Sequence, residues 1–322
     1  MLAKKLKKWD TIWIVTPSKP ISPSKKIYID NCIDYLNSIW LNTKFSDNAL
    51  GTDKYWISCG TRQQKANDIN NMFEDKSINA IWAVQWWYTS NRVLDLLDFE
   101  LIKNNPKIFM WKSDIDMLNL VLNAKSDLIT FHTPDIKIWR GREMDFDYSQ
   151  KWFQKRLMEW EIWQIERNSE WTCLNEWVAE GKILWCNPEV ILRLAWTKYF
   201  PDFQNSILFL EEEYIDNIGL IYCKLEQLRQ IWIFDQIRWL VIWYIHGYQN
   251  EKILEQKPKV DINWNKVKFE DIVCDVVKDY NFPILKINEF GHYCPNTFLP
   301  IWAKVRLDAA NKKIEIISEI LL

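Results

Sequence analysis

The chain has 322 residues, room for two domains, and its 41 basic and 43 acidic side chains leave a formal net charge of −2. That balance gives no purchase on a nucleic-acid backbone or an anionic membrane surface, and no apolar run approaches the roughly 18–20 residues of a membrane span. Seven scattered cysteines without CxxC spacing indicate reduced thiols, and three far-separated histidines without an HExxH pattern leave no metal site to expect.

The opening MLAKKLKKWDTIWIVTPS has a basic head, but Asp10 interrupts its apolar stretch and no small-residue cleavage site follows. It reads as a short tail leading into a first strand of a cytoplasmic protein, not as a signal peptide. A helix is predicted over 27–39 and a strand over 54–58. TRQQKANDINNMFED has the period of an amphipathic helix, with Thr61 as its N-cap. NAIWAVQ, PKIFMW and DLITFH read as strands, and DIDMLNLVLNAK as the helix between the last two. This βαβα alternation predicts a parallel sheet covered on both faces, whose ligands lie beyond the carboxyl ends of the strands.

Beyond residue 133 the pattern becomes irregular, with a helix over 149–159. A second unit follows: strand KILW, a helix over 189–196, strand SILFL, a helix over 216–230 and strand WLVIW. A loop is predicted over 247–265. The helix KFEDIVCDVVKDY and the strands FPILKI, LPIWAKVRLDA and KKIEIIS complete the unit. The expected division is an N-terminal domain over 1–135, a linker over 136–180 and a C-terminal domain over 181–322.

Three stretches carry chemistry. In KIFMWKSDIDML, Ser113 lies between the end of a strand and the start of a helix, a turn that lifts a hydroxyl above a sheet beside helix N–H groups. Its plainer role is to cap the helix that starts at Asp114. In SILFLEEEYID, Glu211 follows directly on a buried strand and can point into a crevice, whereas an acidic run of this kind is commonly a solvated helix start. In NEFGHYCPNTFLPIW, His292 lies in a turn between Gly291 and Pro295. Cys294 nearby is a poor nucleophile candidate, because no strand-to-helix turn presents it. A serine, a carboxylate and a histidine are the members of a hydrolytic triad, although their spacing does not itself bring them together.

With these segments in this order, including YWISCGTRQQKANDIN, WWYTSNRVLDLLDF and ITFHTPD, the chain resembles the LD-carboxypeptidase family of serine peptidases over nearly its whole length. The resemblance implies a Rossmann-like (flavodoxin-like) N-terminal domain with a parallel sheet, and a C-terminal swivelling β/α domain. It implies Ser113 as nucleophile, His292 as general base and acid, and Glu211 as the orienting carboxylate. The backbone N–H groups of Asp114 and Trp87 then form the oxyanion hole. Acyl-enzyme chemistry without metal or cofactor, and a homodimer, are likewise implied.

Two counts are abnormal: 7 glycines and 21 tryptophans, where glycine ordinarily makes up about 7% of a chain. Tryptophan stands where the family pattern has glycine at Trp9, Trp13, Trp86, Trp87, Trp111, Trp185, Trp196, Trp232, Trp239, Trp243 and Trp302. Thr133, Cys186 and Asp116 also depart from that pattern. Reading UGA codons as tryptophan in a gene whose host decodes them as glycine produces this signature. Trp82 and Trp171 are expected to be genuine.

The expected activity is release of terminal D-alanine from muropeptide tetrapeptides by cleavage of an L,D amide bond. The alternative within the family is hydrolysis of a peptidyl- or aminoacyl-nucleotide amide, as in microcin C self-immunity. An inactive glycan- or peptide-binding protein is the alternative of another class. It is disfavoured because the tryptophans are dispersed instead of forming one aromatic surface.

Overall fold

A computed structural model describes residues 1–85, 88–139, 142–159, 163–212, 218–243, 263, 267–292 and 294–322. Among them the chain alternates β1 (Thr11–Val15), α1 (Pro23–Ser38), β2 (Asn42–Phe45), α2 (Arg62–Glu74), β3 (Ala80–Ala83), α3 (Phe99–Asn104), β4 (Ile108–Trp111), α4 (Asp116–Ser126) and β5 (Thr130–His132). β3, β4 and β5 are buried along their whole lengths. This is why they read as continuous apolar runs and not as alternating ones. α2 starts where predicted: Thr61 Oγ1 accepts the Gln64 N–H, and the Gln64 side chain returns a bond to the Thr61 N–H.

α5 (Asp147–Gln154) continues into a π-helical turn over Lys155–Glu159. After it come β6 (Thr172–Asn175), β7 (Val178–Cys186), α6 (Pro188–Leu194), β8 (Ser206–Leu210), α7 (Ile218–Gln230), α8 (Ile233–Gln236), β9 (Trp239–Trp243), α9 (Phe269–Val276), β10 (Ile284–Ile287), β11 (Leu299–Ile301), β12 (Lys304–Asp308) and β13 (Lys313–Ile316). Two sheets result. The first has the order β11-β5-β4-β3-β1-β2 and the second β13-β12-β7-β8-β9-β10-β6. The first is parallel apart from β11. The second has a parallel centre, β7 to β10, with antiparallel strands outside it. No helix among the described residues is long and apolar enough to cross a membrane.

Two element assignments change. The strand expected over 54–58 is a turn, and the second strand lies earlier, at β2. The Asp53 carboxylate draws the segment into that turn by accepting the N–H groups of Tyr55, Ile57 and Ser58 at 3.2, 3.0 and 3.3 Å. LPIWAKVRLDA is not one strand but two. It breaks at Trp302, whose φ is +79°, so β11 closes the first sheet and β12 enters the second. The loop expected over 247–265 falls outside the described residues except for Asn263.

Tryptophan is concentrated where L-residues are strained. Fourteen described non-glycine residues have positive φ, and six of them are Trp9, Trp40, Trp56, Trp196, Trp232 and Trp302. Left-handed backbone is the conformation for which glycine is normally used. Inside the protein the indole N–H groups of Trp82, Trp111, Trp152, Trp185 and Trp239 are buried without an acceptor, a condition native interiors largely avoid. Trp171 differs: its Nε1 donates to Glu289 Oε2 at 2.6 Å.

Candidate active site

β4 delivers Ser113 to the crevice end of the first sheet. Its four residues are buried, Lys112 is extended, and Ser113 then turns to φ +64° before a 3-10 turn over Ser113–Ile115 leads into α4. The capping role is excluded, since α4 begins only at Asp116 and neither turn nor helix has a side-chain cap. A serine held at positive φ costs about 1–3 kcal/mol. The strand–turn–helix shape is that of a nucleophile elbow, with the serine half-buried just ahead of the start of α4.

Glu211, immediately after β8, is fully buried, and Glu212 nearly so; neither is a solvated helix start. Glu212 accepts from Asn187 Nδ2 at 3.1 Å and Lys224 Nζ at 3.2 Å. Burial first of all raises its pKa above the ordinary value. Glu211 turns to His292: Oε1 meets Nδ1, and Oε2 accepts the His292 backbone N–H at 2.9 Å. The approach requires glycine at 291, where φ is +109° and a Cβ would strike Glu211 Oε2 and come within 2.7 Å of the Trp243 ring. Glu211 and His292, 81 residues apart, are therefore one unit.

The His292 turn is tied to the strand that leads into Ser113 by a residue that sequence reasoning passed over. His132 ends β5 in register with Trp111, two residues before Ser113. Its Nε2 accepts the Gly291 N–H at 3.0 Å, and its ring lies against Trp185, centroids 3.8 Å apart. Asn296 Nδ2 holds the next peptide of the turn by donating to the Gly291 carbonyl at 3.2 Å. Burial first, then the charges of Lys112 and His292, push the His132 pKa well below its usual value. With Nε2 accepting, the neutral ring carries its proton on Nδ1, 3.8 Å from Asp116 Oδ1.

Buried charges flank the serine on both sides. Lys112 pairs with Glu143 at 2.6 Å. Burial opposes its charge, but Glu143, with Asp135 and Glu211, together outweigh it and hold the lysine pKa above normal. Asp116 is pushed well above the carboxylate range, chiefly by burial and also by Glu211. Asp114, directly after the serine, joins several segments. Its Oδ2 accepts from Ser18 Oγ at 2.8 Å and the Ser90 N–H at 3.1 Å. Arg193 of α6 donates to its Oδ1 at 3.2 Å. Cys294 donates to the Phe290 carbonyl at 3.1 Å, and burial raises its pKa well above that of a free thiol, so it does not act as a thiolate nucleophile. Trp86 and Trp87 lie outside the described residues. Gln85 and Tyr88 on either side both have positive φ.

The chain has counterparts among known proteins. Residues 12–133 match the model of the LD-carboxypeptidase N-terminal domain, and residues 180–307 that of the C-terminal domain. A probable murein peptide carboxypeptidase of Bacillus subtilis (strain 168) is 25% identical over 313 residues, covering 96% of this chain and 92% of that protein. The microcin C7 self-immunity protein MccF of Escherichia coli is 22% identical over 348 residues, covering 100% and 97%. The structure of MccF in complex with glutamyl sulfamoyl guanosine superposes with a TM-score of 0.86 at 21% identity, covering 100% of this chain and 99% of that one. Muramoyltetrapeptide carboxypeptidase from Oxalobacter formigenes gives 0.76 at 19% identity, covering 97% and 100%. With both domain models matched in order along one chain, this protein belongs to the LD-carboxypeptidase family.

Proposed function

We propose that the protein is a serine carboxypeptidase that releases terminal D-alanine from muropeptide tetrapeptides during peptidoglycan recycling. The observation that most supports this is the double contact of Glu211 with His292, which fixes the imidazole's tautomer and leaves Nε2 as the base. Ser113 Oγ attacks the scissile carbonyl carbon while His292 Nε2 takes its proton. The carbonyl electron pair moves onto oxygen, where the N–H groups of Asp114 and Trp87 receive it. Collapse breaks the C–N bond, and His292 protonates the departing D-alanine amine. A water deprotonated by His292 then hydrolyses the acyl-enzyme and restores Ser113.

Near-complete alignment with the microcin C7 self-immunity protein supports a second reading of the same machinery, hydrolysis of an aminoacyl-nucleotide amide. Two assays separate them: release of D-alanine from a muropeptide tetrapeptide, and cleavage of an aminoacyl sulfamoyl adenosine. Labelling by a fluorophosphonate that is lost in Ser113→Ala tests the shared mechanism and the alternative of an inactive binding protein; equal labelling of that variant overturns the assignment of Ser113. A cytoplasmic homodimer is the expected assembly, and light scattering of the purified protein tests the dimer.

A further inference from the structure

Lys65, in the middle of α2, is 1% exposed. Its ammonium donates to Ser58 Oγ at 2.8 Å, the Thr89 carbonyl at 3.0 Å and Thr89 Oγ1 at 3.4 Å. All three acceptors are neutral. A buried ammonium held only by neutral oxygens carries a large desolvation cost, and a methionine would fill the same space without it. The bonds lead toward the nucleophile. The Thr89 N–H donates to Ser18 Oγ at 3.3 Å, and Ser18 Oγ donates to Asp114 Oδ2 at 2.8 Å. The same carboxylate oxygen takes the Ser90 N–H at 3.1 Å, and Ser90 Oγ donates to the Asp114 carbonyl at 2.7 Å.

Resting on the serine-hydrolase reading above, we propose that Lys65 is a positioning residue for the reaction: its buried ammonium draws in the Thr89 carbonyl, sets Thr89 and Ser90 against Asp114, and so orients the Asp114 backbone N–H, the oxyanion donor that follows Ser113. A cation behind that segment also adds positive potential where the tetrahedral intermediate gathers negative charge. The charged and titratable groups facing Lys65 are Arg92 from the turn after Ser90, Asp114 from the nucleophile turn, and Cys59 and Asp53 from the segment before α2. Burial first, then Arg92, brings its pKa down to about 8. The ammonium is therefore charged at neutral pH and loses its proton in the mildly alkaline range.

The test is the second-order rate of Ser113 labelling by a fluorophosphonate between pH 6 and 10, in the unaltered protein, Lys65→Met and Lys65→Arg. The unaltered protein is expected to lose reactivity as pH rises through about 8. Lys65→Met should label on the order of tenfold to a hundredfold more slowly at pH 7, part of the roughly 10²–10³ carried by an oxyanion donor, with no fall near pH 8. Lys65→Arg, whose guanidinium keeps its charge, should retain most of the rate and carry it beyond pH 9. Circular dichroism checks folding, and if Lys65→Met does not fold, the Lys65→Arg profile decides. Superimposable profiles in the unaltered and arginine proteins, or an unchanged rate in a folded Lys65→Met, overturn the proposal. Labelling that persists in Ser113→Ala overturns the underlying hydrolase reading instead.

Discussion

Glu211 grips His292 at two points, the backbone N–H at 2.9 Å and the ring Nδ1. One carboxylate thus fixes both the position of the residue and the orientation of its imidazole. If Ser113, His292 and Glu211 act as a unit, Ser113→Ala and His292→Ala should each abolish turnover almost completely. The double variant should be little worse than either single one. Glu211→Gln should be milder, with a loss of order 10⁴, because that side chain orients the base and transfers no proton. Rates of the three single variants and the double variant check this, and multiplicative losses would contradict it.

His132 gives a pH dependence of stability. Burial keeps the folded-state pKa well below the usual value, so below about pH 6.5 the unfolded chain takes up a proton that the folded protein does not. Stability is therefore expected to fall as the solution is acidified below that point, by about 1.4 kcal/mol per pH unit from this group. Glutamine can still accept the Gly291 N–H and does not titrate. Urea unfolding of His132→Gln at pH 7 and pH 5 should show this part of the slope removed, and His132→Leu should lose activity where His132→Gln keeps it.

Trp196 isolates the cost of left-handed backbone. Its φ is +64° and it is 88% exposed, so replacing it removes almost no packing. Trp196→Gly is expected to stabilise the protein by about 1 kcal/mol, despite glycine's greater freedom in the unfolded chain. Trp196→Ala retains a Cβ and should gain little. Denaturant midpoints of the three proteins measure the difference, and a destabilised glycine variant would show that the indole itself is needed.

The same reasoning extends to Trp86, Trp87 and Trp111, which stand at glycine positions of the family pattern. Restoring Trp86→Gly, Trp87→Gly and Trp111→Gly together should raise kcat/KM by at least about 10², mainly through kcat, since an oxyanion donor acts on the transition state. Activity of the two folded proteins on an L,D-tetrapeptide provides the comparison. The codons provide an independent one: UGG at all three positions would end the recoding explanation.

Local chemistry was readable in the sequence wherever a residue's neighbours determine its conformation. Thr61 capped its helix because Gln64 follows at the right interval, and β3, β4 and β8 were visible as apolar runs. Residues 54–58 misled because their apolar side chains suggest a strand, while one Asp53 carboxylate gathers three of their N–H groups. At the site, the turn that presents Ser113 was legible, but the meeting of Glu211 with His292 required the folded chain. His132 and Lys65 were missed for a related reason. His132 bonds a backbone atom, the Gly291 N–H, and Lys65 bonds the Thr89 carbonyl besides the Ser58 and Thr89 hydroxyls, and no sequence pattern advertises such partners.

β11 gives the protein a schedule. This strand, Leu299–Ile301, completes the first sheet by pairing with β5, and the turn bearing His292 spans the interval from β10 in the second sheet to β11 in the first. During synthesis the nucleophile turn leaves the ribosome nearly two hundred residues before the strand that finishes its own sheet. On the mechanism proposed above, a nascent chain can shape the serine's surroundings early but lacks His292, the base that would take its proton. Hydrolysis by that mechanism would then begin only when the last strands emerge, and a ribosome stalled before them would release a polypeptide without the proposed triad.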